Sequence, residues 1–238
     1  MLFYILKALA YIPAVLFVYP LRIIGKKNVP KKGRVLFCAN HQTLNDAIIV
    51  SLHFNRRFYH MAKAPLFKTK FSNWFMRKMG AYPVHHKQND IEAVKTTLRH
   101  LKQDHAMCIF PEGARLKTEE AHDLKNGVVN FALKTNAPIV PAAFIKKTLA
   151  FRPNILICEE PFNLSEMEQF KDRKIDKELL NEASAYLKER IHGIIKKYND
   201  EQEAKRLSKV LKRKEVLIQQ HQENALKKLC KQARKGSR

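Results

Sequence analysis

The stretch NHQTLND (residues 40–46) places a histidine and an aspartate five positions apart. Asp46 is the only acidic residue among the first 89, a part of the chain that carries fifteen Lys and Arg. A carboxylate that accepts a hydrogen bond from one imidazole nitrogen leaves the other nitrogen to act as a base, and it stabilises the cation that forms. His41 and Asp46 are therefore candidate catalytic residues.

The two side chains can meet only in a particular local structure. Residues five apart on a regular helix are rotated by about 140° and do not share a face. They can meet if His41 lies in a loop after a strand and Asp46 lies in the first turn of the next helix. Thr43 and Asp46 form a capping-box pattern, with Thr43 as the N-cap, before the apolar AIIV. That pattern also offers Asp46 a purely structural role at the helix terminus.

A second group of chemically active residues is FPEGAR (110–115), which follows the strand-like AMCI. Pro111 and Gly113 bend the backbone, and Glu112 and Arg115 bring opposite charges into the resulting loop. Arg115 suits an anionic oxygen, which it can hold by paired donors, and Glu112 can accept from hydroxyls or orient the loop. The alternative is a turn with a local ion pair.

Short apolar runs alternate with helical patterns along most of the chain. Strands are predicted at 35–39, 58–62, 81–84, 106–110, 139–144 and 155–160. Helices are predicted at 45–54, 65–78, 90–104 and 125–135, the third with Ile91, Val94, Leu98 and Leu101 at helical spacing. This alternation predicts an α/β fold whose mostly parallel sheet is flanked by helices and carries its sites at the carboxyl ends of the strands.

The charge of the chain restricts its partners. A net charge of +23 and a pI of about 10.0 favour anionic partners, which include nucleic acid, an acidic membrane surface, a phosphorylated substrate and an acidic carrier protein. The seven glycines form no G-x-G-x-x-G or G-K-[ST] pattern, which argues against a dinucleotide or Walker-type site. The four cysteines form no C-x-x-C pair, so we expect neither a zinc site nor a disulfide framework, and we expect Cys38 and Cys108 to be core residues.

The two ends of the chain differ from its middle. Residues 1–24 are apolar apart from Lys7 and Arg22, yet the uninterrupted apolar run is too short to span a bilayer. We interpret 1–33 as a membrane-associated helical hairpin or interfacial anchor followed by basic residues that face anionic headgroups; the alternative is a buried core helix. We assign 34–172 to the α/β domain and 173–238 to a basic helical extension. That extension could dock on the domain, pair with another helix, lie on the membrane or remain solvated.

The motifs resemble those of a known enzyme family. NHQTLND, FPEGAR about sixty-five residues later, and then IVPAAF resemble the glycerolipid acyltransferases of the 1-acylglycerol-3-phosphate acyltransferase type, whose motifs include H-x-x-x-x-D and F-P-E-G-[TS]-R. The resemblance covers roughly residues 35–144. Between the outer motifs, Lys63 matches a family lysine and Gly80 a family glycine. This sequence has His86, followed by Lys87, where the family usually has an arginine, and Ala114 where it has Thr or Ser.

The resemblance implies transfer of a fatty acyl chain from acyl carrier protein or coenzyme A to the sn-2 hydroxyl of 1-acylglycerol-3-phosphate, giving phosphatidate. His41 would be the general base and Asp46 its partner. The substrate would be bound by residues that follow several strands, namely Lys63, Glu112, Gly113, Arg115, His86 and Lys87. The reaction needs no cofactor beyond the thioester, and we expect no metal. The expected location is the cytoplasmic face of the cell membrane, peripheral or monotopic.

Three other functions compete with this interpretation. The substitution of His86 for arginine leaves room for a different lysophospholipid or acceptor. The basic composition fits a nucleic-acid binder, but helix-turn-helix, RNP-like and zinc-finger patterns are absent from the sequence, so we expect no nucleic-acid partner. A metal-dependent hydrolase would use His41, Asp46, His85 and His86 as ligands, but the sequence lacks a spacing such as H-x-x-E-H.

Overall fold

The structure is a computed structural model that describes Ile5, Leu9 and residues 17–43, 45–85, 90–111 and 122–236, with the backbone alone at 122–125, 210–212 and 215–236. Its strands are Leu21–Ile24 (β1), Val35–Ala39 (β2), Phe58–Lys63 (β3), Ala81–Val84 (β4), Ala106–Ile109 (β5), Ile139–Phe144 (β6) and Asn154–Cys158 (β7). Its α-helices are Asp46–His53 (α1), Lys70–Lys78 (α2), Ile91–Lys102 (α3), His122–Thr135 (α4) and Lys177–Gly236 (α5). Short 3-10 helices occupy Lys26–Asn28, Ala64–Phe67 and Leu164–Glu166.

The strands form one sheet in the order β1-β7-β6-β2-β5-β3-β4. All neighbouring pairs are parallel except β6 and β7. The five strands β2 to β6 therefore run in one direction and end at the same side of the sheet, which we call the carboxyl edge. Strands β1 and β7 run the other way, so both begin at the carboxyl edge. This arrangement confirms the predicted α/β fold with a mostly parallel sheet flanked by helices.

Aromatic side chains pack tightly around β2. All five β2 residues are buried, as expected for a strand with both faces covered. Phe37, Phe54 and Phe58 pack edge to face, each pair with ring centroids 5.6 Å apart. Each such contact contributes about 1 kcal/mol beyond the burial of apolar area. The carboxyl end of β2 therefore projects from a rigid support.

The chain returns from α2 to the sheet through Gly80. This glycine has φ +97°, in the left-handed region, and a Cβ built on it would overlap the carbonyl oxygen of Phe58. The backbones of β3 and β4 approach closely here, and the His60 amide donates to the Gly80 carbonyl at 3.2 Å. A side chain would separate the strands at this point, so the position requires glycine.

Several features differ from the sequence predictions. The strand β1 lies within the stretch that was predicted to be the anchor, and it was not predicted as a strand. The buried face of α3 consists of Ala93, Thr97 and Leu101, whereas Ile91 and Val94 are exposed. Thr97 can be buried because its hydroxyl donates to the Ala93 carbonyl at 2.8 Å and hydrogen-bonds the Tyr82 hydroxyl at 2.6 Å.

The cysteines that the structure describes are not paired. Cys38, Cys108 and Cys158 are buried free thiols, which confirms the expectation for the first two. Burial raises the pKa of all three thiols, so they remain protonated at neutral pH. They behave as small apolar residues of the core.

The chain divides into two compact units, Met1–Ile195 and Lys196–Arg238. In the first unit, the beginning of α5 buries one apolar stripe, Leu179, Ala183, Leu187, Ile191 and Ile194. Arg190 on the same helix pairs with Glu159 at 2.7 Å. The second unit is helical as far as Gly236. The division at residues 33 and 172 that sequence analysis suggested stays a prediction. No helix within the described ranges combines the length and the apolar character needed to cross a membrane.

Candidate active site

The side chains of His41 and Asp46 meet at the carboxyl edge. His41 lies in the loop directly after β2, and Asp46 is the first residue of α1. Nδ1 of His41 lies 3.0 Å from Oδ2 of Asp46. Asp46 is fully buried, whereas the His41 side chain is 22% exposed. A buried carboxylate therefore holds an imidazole that is open to solvent, as the local structure predicted from the sequence requires.

Four hydrogen bonds converge on the Asp46 carboxylate. Besides His41, Oδ2 accepts from the backbone amides of Gln42 and Thr43, both at 2.7 Å, and Oδ1 accepts from the Thr43 hydroxyl at 2.6 Å. Burial alone would raise the pKa of Asp46, but the hydrogen bonds from His41, Thr43 and Gln42 outweigh it and hold the pKa below its ordinary value. Asp46 is therefore ionised at neutral pH and has no proton to donate.

The charge of Asp46 determines the tautomer of His41. Because an ionised carboxylate can only accept, Nδ1 of the neutral imidazole must carry the proton. The lone pair of the ring is then on Nε2. This is the tautomer that a histidine needs in order to remove a proton through Nε2.

The start of α1 differs from the predicted capping box. The helix begins at Asp46 with Asn45 as its N-cap, and the Asn45 side chain makes no capping hydrogen bond. Only half of the box forms, because the Thr43 amide donates to Asp46 while the Thr43 hydroxyl also donates to the carboxylate instead of accepting from the helix amide. Asn45 donates to the Tyr19 hydroxyl at 2.6 Å. The local hydrogen bonds thus stabilise the charge of Asp46 rather than the helix end.

The loop that carries His41 is tied to the neighbouring strand. Asn40 accepts from the Phe144 amide at 2.7 Å and donates to the Phe144 carbonyl at 3.0 Å. The Gln42 side chain donates to the same carbonyl at 3.0 Å. These bonds fix the backbone on both sides of His41 to the end of β6, so the imidazole is attached to two strands.

An aromatic ring covers one face of the imidazole. Phe110, the first residue after β5, stacks on His41 with ring centroids 4.3 Å apart and planes 19° from parallel. Strands β2 and β5 are neighbours, so the beginning of FPEGAR lies directly beside His41. The hydrogen bond to Asp46 and the stacked ring together restrict the imidazole to one orientation.

Lys63 ends at the same edge, two strands away from His41. It is the last residue of β3, it is exposed, and it pairs in register with Val84 of β4. Strand β5 separates β2 from β3, and two strand spacings correspond to about 10 Å. Lys63 makes no salt bridge with another described residue. Lys63 is therefore an exposed cation at the same edge of the sheet as His41.

The other predicted site residues cannot be placed. Glu112, Gly113, Arg115, His86 and Lys87 lie outside the described residues. The described residues just before them, Phe110 after β5 and His85 after β4, are at the carboxyl edge. Among the side chains that the structure describes, His, Cys, Asp and Glu form no cluster of three or more that could hold a metal ion.

Sequence reasoning missed four residues that shape the site. Phe110 was noted only as the end of a strand and the first letter of FPEGAR, Asn40 and Gln42 were given no role, and Tyr19 was not considered. The amide donors of Gln42 and Thr43 follow from a compact loop around a carboxylate, and the short spacing between His41 and Asp46 could have indicated them. The stacking on Phe110 and the bonds to Phe144 join residues far apart in sequence, and no local signal reveals them.

Comparison with known proteins agrees with this arrangement. The family profile named "Acyltransferase" matches residues 20–145, which contain every strand from β1 to β6 and the His41–Asp46 pair. The chain belongs to the acyltransferase family. The resemblance drawn from the motifs is thereby confirmed.

Two individual relatives have the same name. The chain is 32% identical over 124 residues to a 1-acyl-sn-glycerol-3-phosphate acyltransferase of Bacillus subtilis, a match that covers 52% of this chain and 61% of the relative. It is 28% identical over 140 residues to the Borreliella burgdorferi protein of the same name, covering 56% of this chain and 54% of the relative. The matched part therefore spans little more than half of these relatives.

A solved structure shows the same fold. The crystal structure of the 1-acyl-sn-glycerophosphate acyltransferase PlsC from Thermotoga maritima superimposes with a TM-score of 0.60 and 22% sequence identity, covering 83% of this chain and 78% of that chain. The sheet and its flanking helices therefore follow the fold of that protein.

Proposed function

We propose that the protein transfers a fatty acyl chain from a thioester to the sn-2 hydroxyl of 1-acylglycerol-3-phosphate. The observation that carries this proposal is the contact of 3.0 Å between His41 and a buried, ionised Asp46 at the carboxyl edge. The names of the relatives from Bacillus subtilis and Borreliella burgdorferi support the choice of acceptor. The product is phosphatidate, an intermediate of phospholipid biosynthesis.

His41 acts as the general base in this mechanism. Its Nε2 takes the proton of the acceptor hydroxyl as the hydroxyl oxygen attacks the thioester carbonyl carbon. The resulting tetrahedral intermediate collapses, the carbon–sulfur bond breaks, and the leaving thiolate receives the proton from the imidazolium. Asp46 stabilises the imidazolium while it exists. Base catalysis of this kind is worth about 10² to 10⁴ in rate.

The remaining site residues bind the phosphate and orient the reacting groups. Lys63 and Arg115 bind the acceptor phosphate, His86 or Lys87 assists in that binding, and Glu112 orients the loop. Backbone amides near Gly113 stabilise the oxyanion of the intermediate. Lys63 supports this arrangement because it ends at the carboxyl edge without a salt bridge to another described residue.

The protein acts at the cytoplasmic face of the cell membrane, as a peripheral or monotopic protein. The apolar segment 1–24 and the basic residues after it support this location, because the acceptor is a lipid and the net charge of +23 favours an anionic bilayer. The acyl donor is a thioester of acyl carrier protein or of coenzyme A. The reaction uses no further cofactor.

An acyl-transfer assay with a panel of substrates tests the proposal. The purified protein in detergent is incubated with each donor and with lysophosphatidate, lysophosphatidylglycerol, lysophosphatidylcholine and lysophosphatidylethanolamine, and the products are identified by mass spectrometry. We expect diacylated phosphatidate from lysophosphatidate. The alternative is that the enzyme acylates a different lysophospholipid, because His86 stands where the family usually has arginine. In that case diacylated product would form from another headgroup and not from lysophosphatidate. Absence of acyl transfer to every acceptor would contradict the proposal.

A further inference from the structure

The carboxyl edge carries large apolar side chains that contact water. Leu66 lies in the 3-10 helix that follows β3, and Phe71 and Trp74 lie in the first half of α2. Their exposed fractions are 47%, 72% and 44%. No residue of α2 is buried, so the helix places its aromatic face outside the core. Exposed aromatic clusters of this kind mark interaction surfaces.

A second apolar group lies on the other side of His41. Leu149 and Phe151 are in the loop that leaves β6 at the carboxyl edge, and they are 42% and 74% exposed. In the sheet order, β2 and β5 lie between β6 and β3, so the two groups flank the strands that carry His41 and Phe110. Three strand spacings separate β6 from β3, about 14 Å.

The backbone at Phe151 is held in an unfavourable conformation. Its φ is +57°. The other described non-glycine residues with positive φ are all Asp or Asn, which tolerate this region better. The Phe151 amide donates to the Val18 carbonyl at 2.6 Å, which fixes this conformation. The left-handed region disfavours a bulky side chain, so this conformation destabilises the fold. Phe151 thus combines an unfavourable backbone conformation with an exposed ring, as expected of a side chain that is held out for an interaction.

The charges around both groups have one sign. Residues 47–89 contain eight Lys and Arg and no Asp or Glu, and residues 145–158 contain three basic residues and no acidic one. Lys68 and Lys70 adjoin Phe71, and Lys147 and Arg152 adjoin the second group, all of them exposed. Apolar side chains surrounded by cations fit the interface of an anionic bilayer, where rings enter the headgroup region and lysines contact phosphates.

The amino-terminal segment reaches the sheet at the same edge. Strand β1 begins at the carboxyl edge, because Leu21 pairs with Asn154, the first residue of β7. Tyr19, just before β1, accepts a hydrogen bond from Asn45 beside Asp46. The apolar sequence before residue 20 therefore joins the domain where the two exposed groups are found.

We propose that Leu66, Phe71 and Trp74 on one side of His41, and Leu149 and Phe151 on the other, dock the carboxyl edge on an anionic lipid bilayer. The docking is additional to anchoring by the amino-terminal segment. Two contacts on opposite sides of the site hold the His41 imidazole toward the lipid surface. The benefit of this docking for catalysis rests on the proposed function, because it requires a lipid acceptor that reaches His41 from the bilayer. The docking itself does not depend on any reaction.

The fluorescence of Trp74 tests the docking at the surface itself, because Trp74 is the only tryptophan in the chain. The full-length protein is mixed, without substrates, with vesicles of phosphatidylcholine alone or of phosphatidylcholine and phosphatidylglycerol at equal total lipid. We expect a blue shift of the emission and quenching by brominated acyl chains with the anionic vesicles only. Emission that stays unshifted, and equally open to acrylamide with and without anionic vesicles, would overturn the proposal even if another segment binds them.

Variants test whether the two groups bind the bilayer specifically or whether any loss of exposed apolar surface weakens binding. Leu66→Ser/Phe71→Ser and Leu149→Ser/Phe151→Asn should each weaken partitioning onto anionic vesicles by about tenfold or more. Asn tolerates the left-handed region, so the second variant should also raise the Tm. The matched control is Ile24→Thr, an exposed isoleucine that ends β1 at the opposite edge, and it should bind like the wild type. Unchanged partitioning of both double variants would contradict the proposal.

Two further measurements distinguish the competing outcomes. If an acidic carrier protein shifts the Trp74 emission and anionic vesicles do not, the surface binds a protein and the lipid proposal fails. Acyl transfer to a monomeric short-chain acceptor should be unchanged in Leu66→Ser/Phe71→Ser, whereas transfer to acceptor in vesicles should fall with the partitioning. A wild type that binds vesicles through Trp74 but transfers no acyl group would sustain the docking and refute the proposed function.

Discussion

The imidazole of His41 lies between a buried carboxylate and the ring of Phe110, whose centroid is 4.3 Å away. His41 and Phe110 follow neighbouring parallel strands, so the sheet itself brings them together. The carboxylate sets the tautomer and the ring restricts rotation. Positioning of this kind makes a histidine an efficient base, because little reorganisation is needed in the transition state.

Replacement of Phe110 should therefore reduce turnover without unfolding the protein. We expect Phe110→Ala to lower kcat by about tenfold, since a loosened imidazole spends less time aligned with the acceptor hydroxyl. KM should change little, because the ring restrains the base. Phe110→Tyr, which keeps the stacked ring, should retain most of the activity. Both variants are compared by steady-state kinetics, with thermal melts as the fold control. Equal losses of kcat in the two variants would mean that Phe110 has a purely structural role.

The hydroxyl of Thr43 should contribute to stability in acid. The pKa of Asp46 lies below its ordinary value, so the stability contributed by the ionised carboxylate is present above about pH 4 and is lost as the pH falls through the folded-state pKa. Thr43→Val removes a donor at 2.6 Å, which raises the pKa of Asp46 and should destabilise the native state by about 2 kcal/mol at neutral pH. The midpoint of acid unfolding should move to higher pH.

Thr148→Val is the matched control for that substitution. The Thr148 hydroxyl is buried and has no hydrogen-bond partner among the described residues, so the same isosteric change removes no bond. We expect its stability to equal or exceed that of the wild type. Urea unfolding at several pH values compares the two variants, and equal destabilisation of both would refute the role given to Thr43.

His60 should make the protein sensitive to moderate acid. Burial, with a further contribution from Arg57, lowers the pKa of His60 from 6.5 to about 4. The unfolded chain binds this proton first, so the stability is fully present above pH 6.5 and declines as the pH falls toward 4, by about 3 kcal/mol from this residue. His60→Leu should flatten the stability curve in that window. Part of the slope should remain, because burial, His105 and Arg57 also lower the pKa of His100, to about 4. A curve identical to that of the wild type would contradict this assignment.

Gly80 and Gly33 form a pair that separates steric overlap from backbone strain. Both have positive φ, +97° and +80°, but a Cβ at Gly80 would overlap the Phe58 carbonyl while a Cβ at Gly33 would meet nothing within 4 Å. We expect Gly33→Ala to cost about 1 kcal/mol and Gly80→Ala about 3 kcal/mol or more. Denaturant unfolding measures both values. Equal costs would mean that β3 and β4 can separate freely.

Local patterns in the sequence account for most of the sheet. VLFCA, AYPV and IVPAAF were predicted with the bounds that the structure has. VLFCA and IVPAAF are fully buried, and such strands appear as short uninterrupted apolar runs. The strand LRII was missed because it continues an apolar stretch that is typical of a membrane segment. The predicted helix at 65–78 is divided at Thr69, which caps α2 through a capping box with Ser72. The sequence contains that signal.

The site was predictable only in part, for a physical reason. The pairing of His41 with Asp46 joins residues five positions apart in one short loop and is therefore visible in local sequence. The packing of Phe110 and the hydrogen bonds to Phe144 depend on which strands are neighbours, a property of the whole sheet. On α3, the apolar spacing indicated the helix but not its buried face, which includes Thr97 because its hydroxyl is satisfied by Ala93 and Tyr82.

The turnover of His41→Ala with a thioester donor and 1-acylglycerol-3-phosphate tests the role of the imidazole most directly. His192→Ala, which removes an exposed histidine from α5, is the matched control and should keep wild-type kinetics. We predict that His41→Ala lowers kcat by about 10² to 10⁴ while the variant still folds cooperatively and binds anionic vesicles like the wild type. Its Tm should be lower, because one of the four hydrogen bonds to the buried Asp46 carboxylate is lost. A folded His41→Ala protein whose kcat equals that of the wild type would contradict the assignment of His41 as the base.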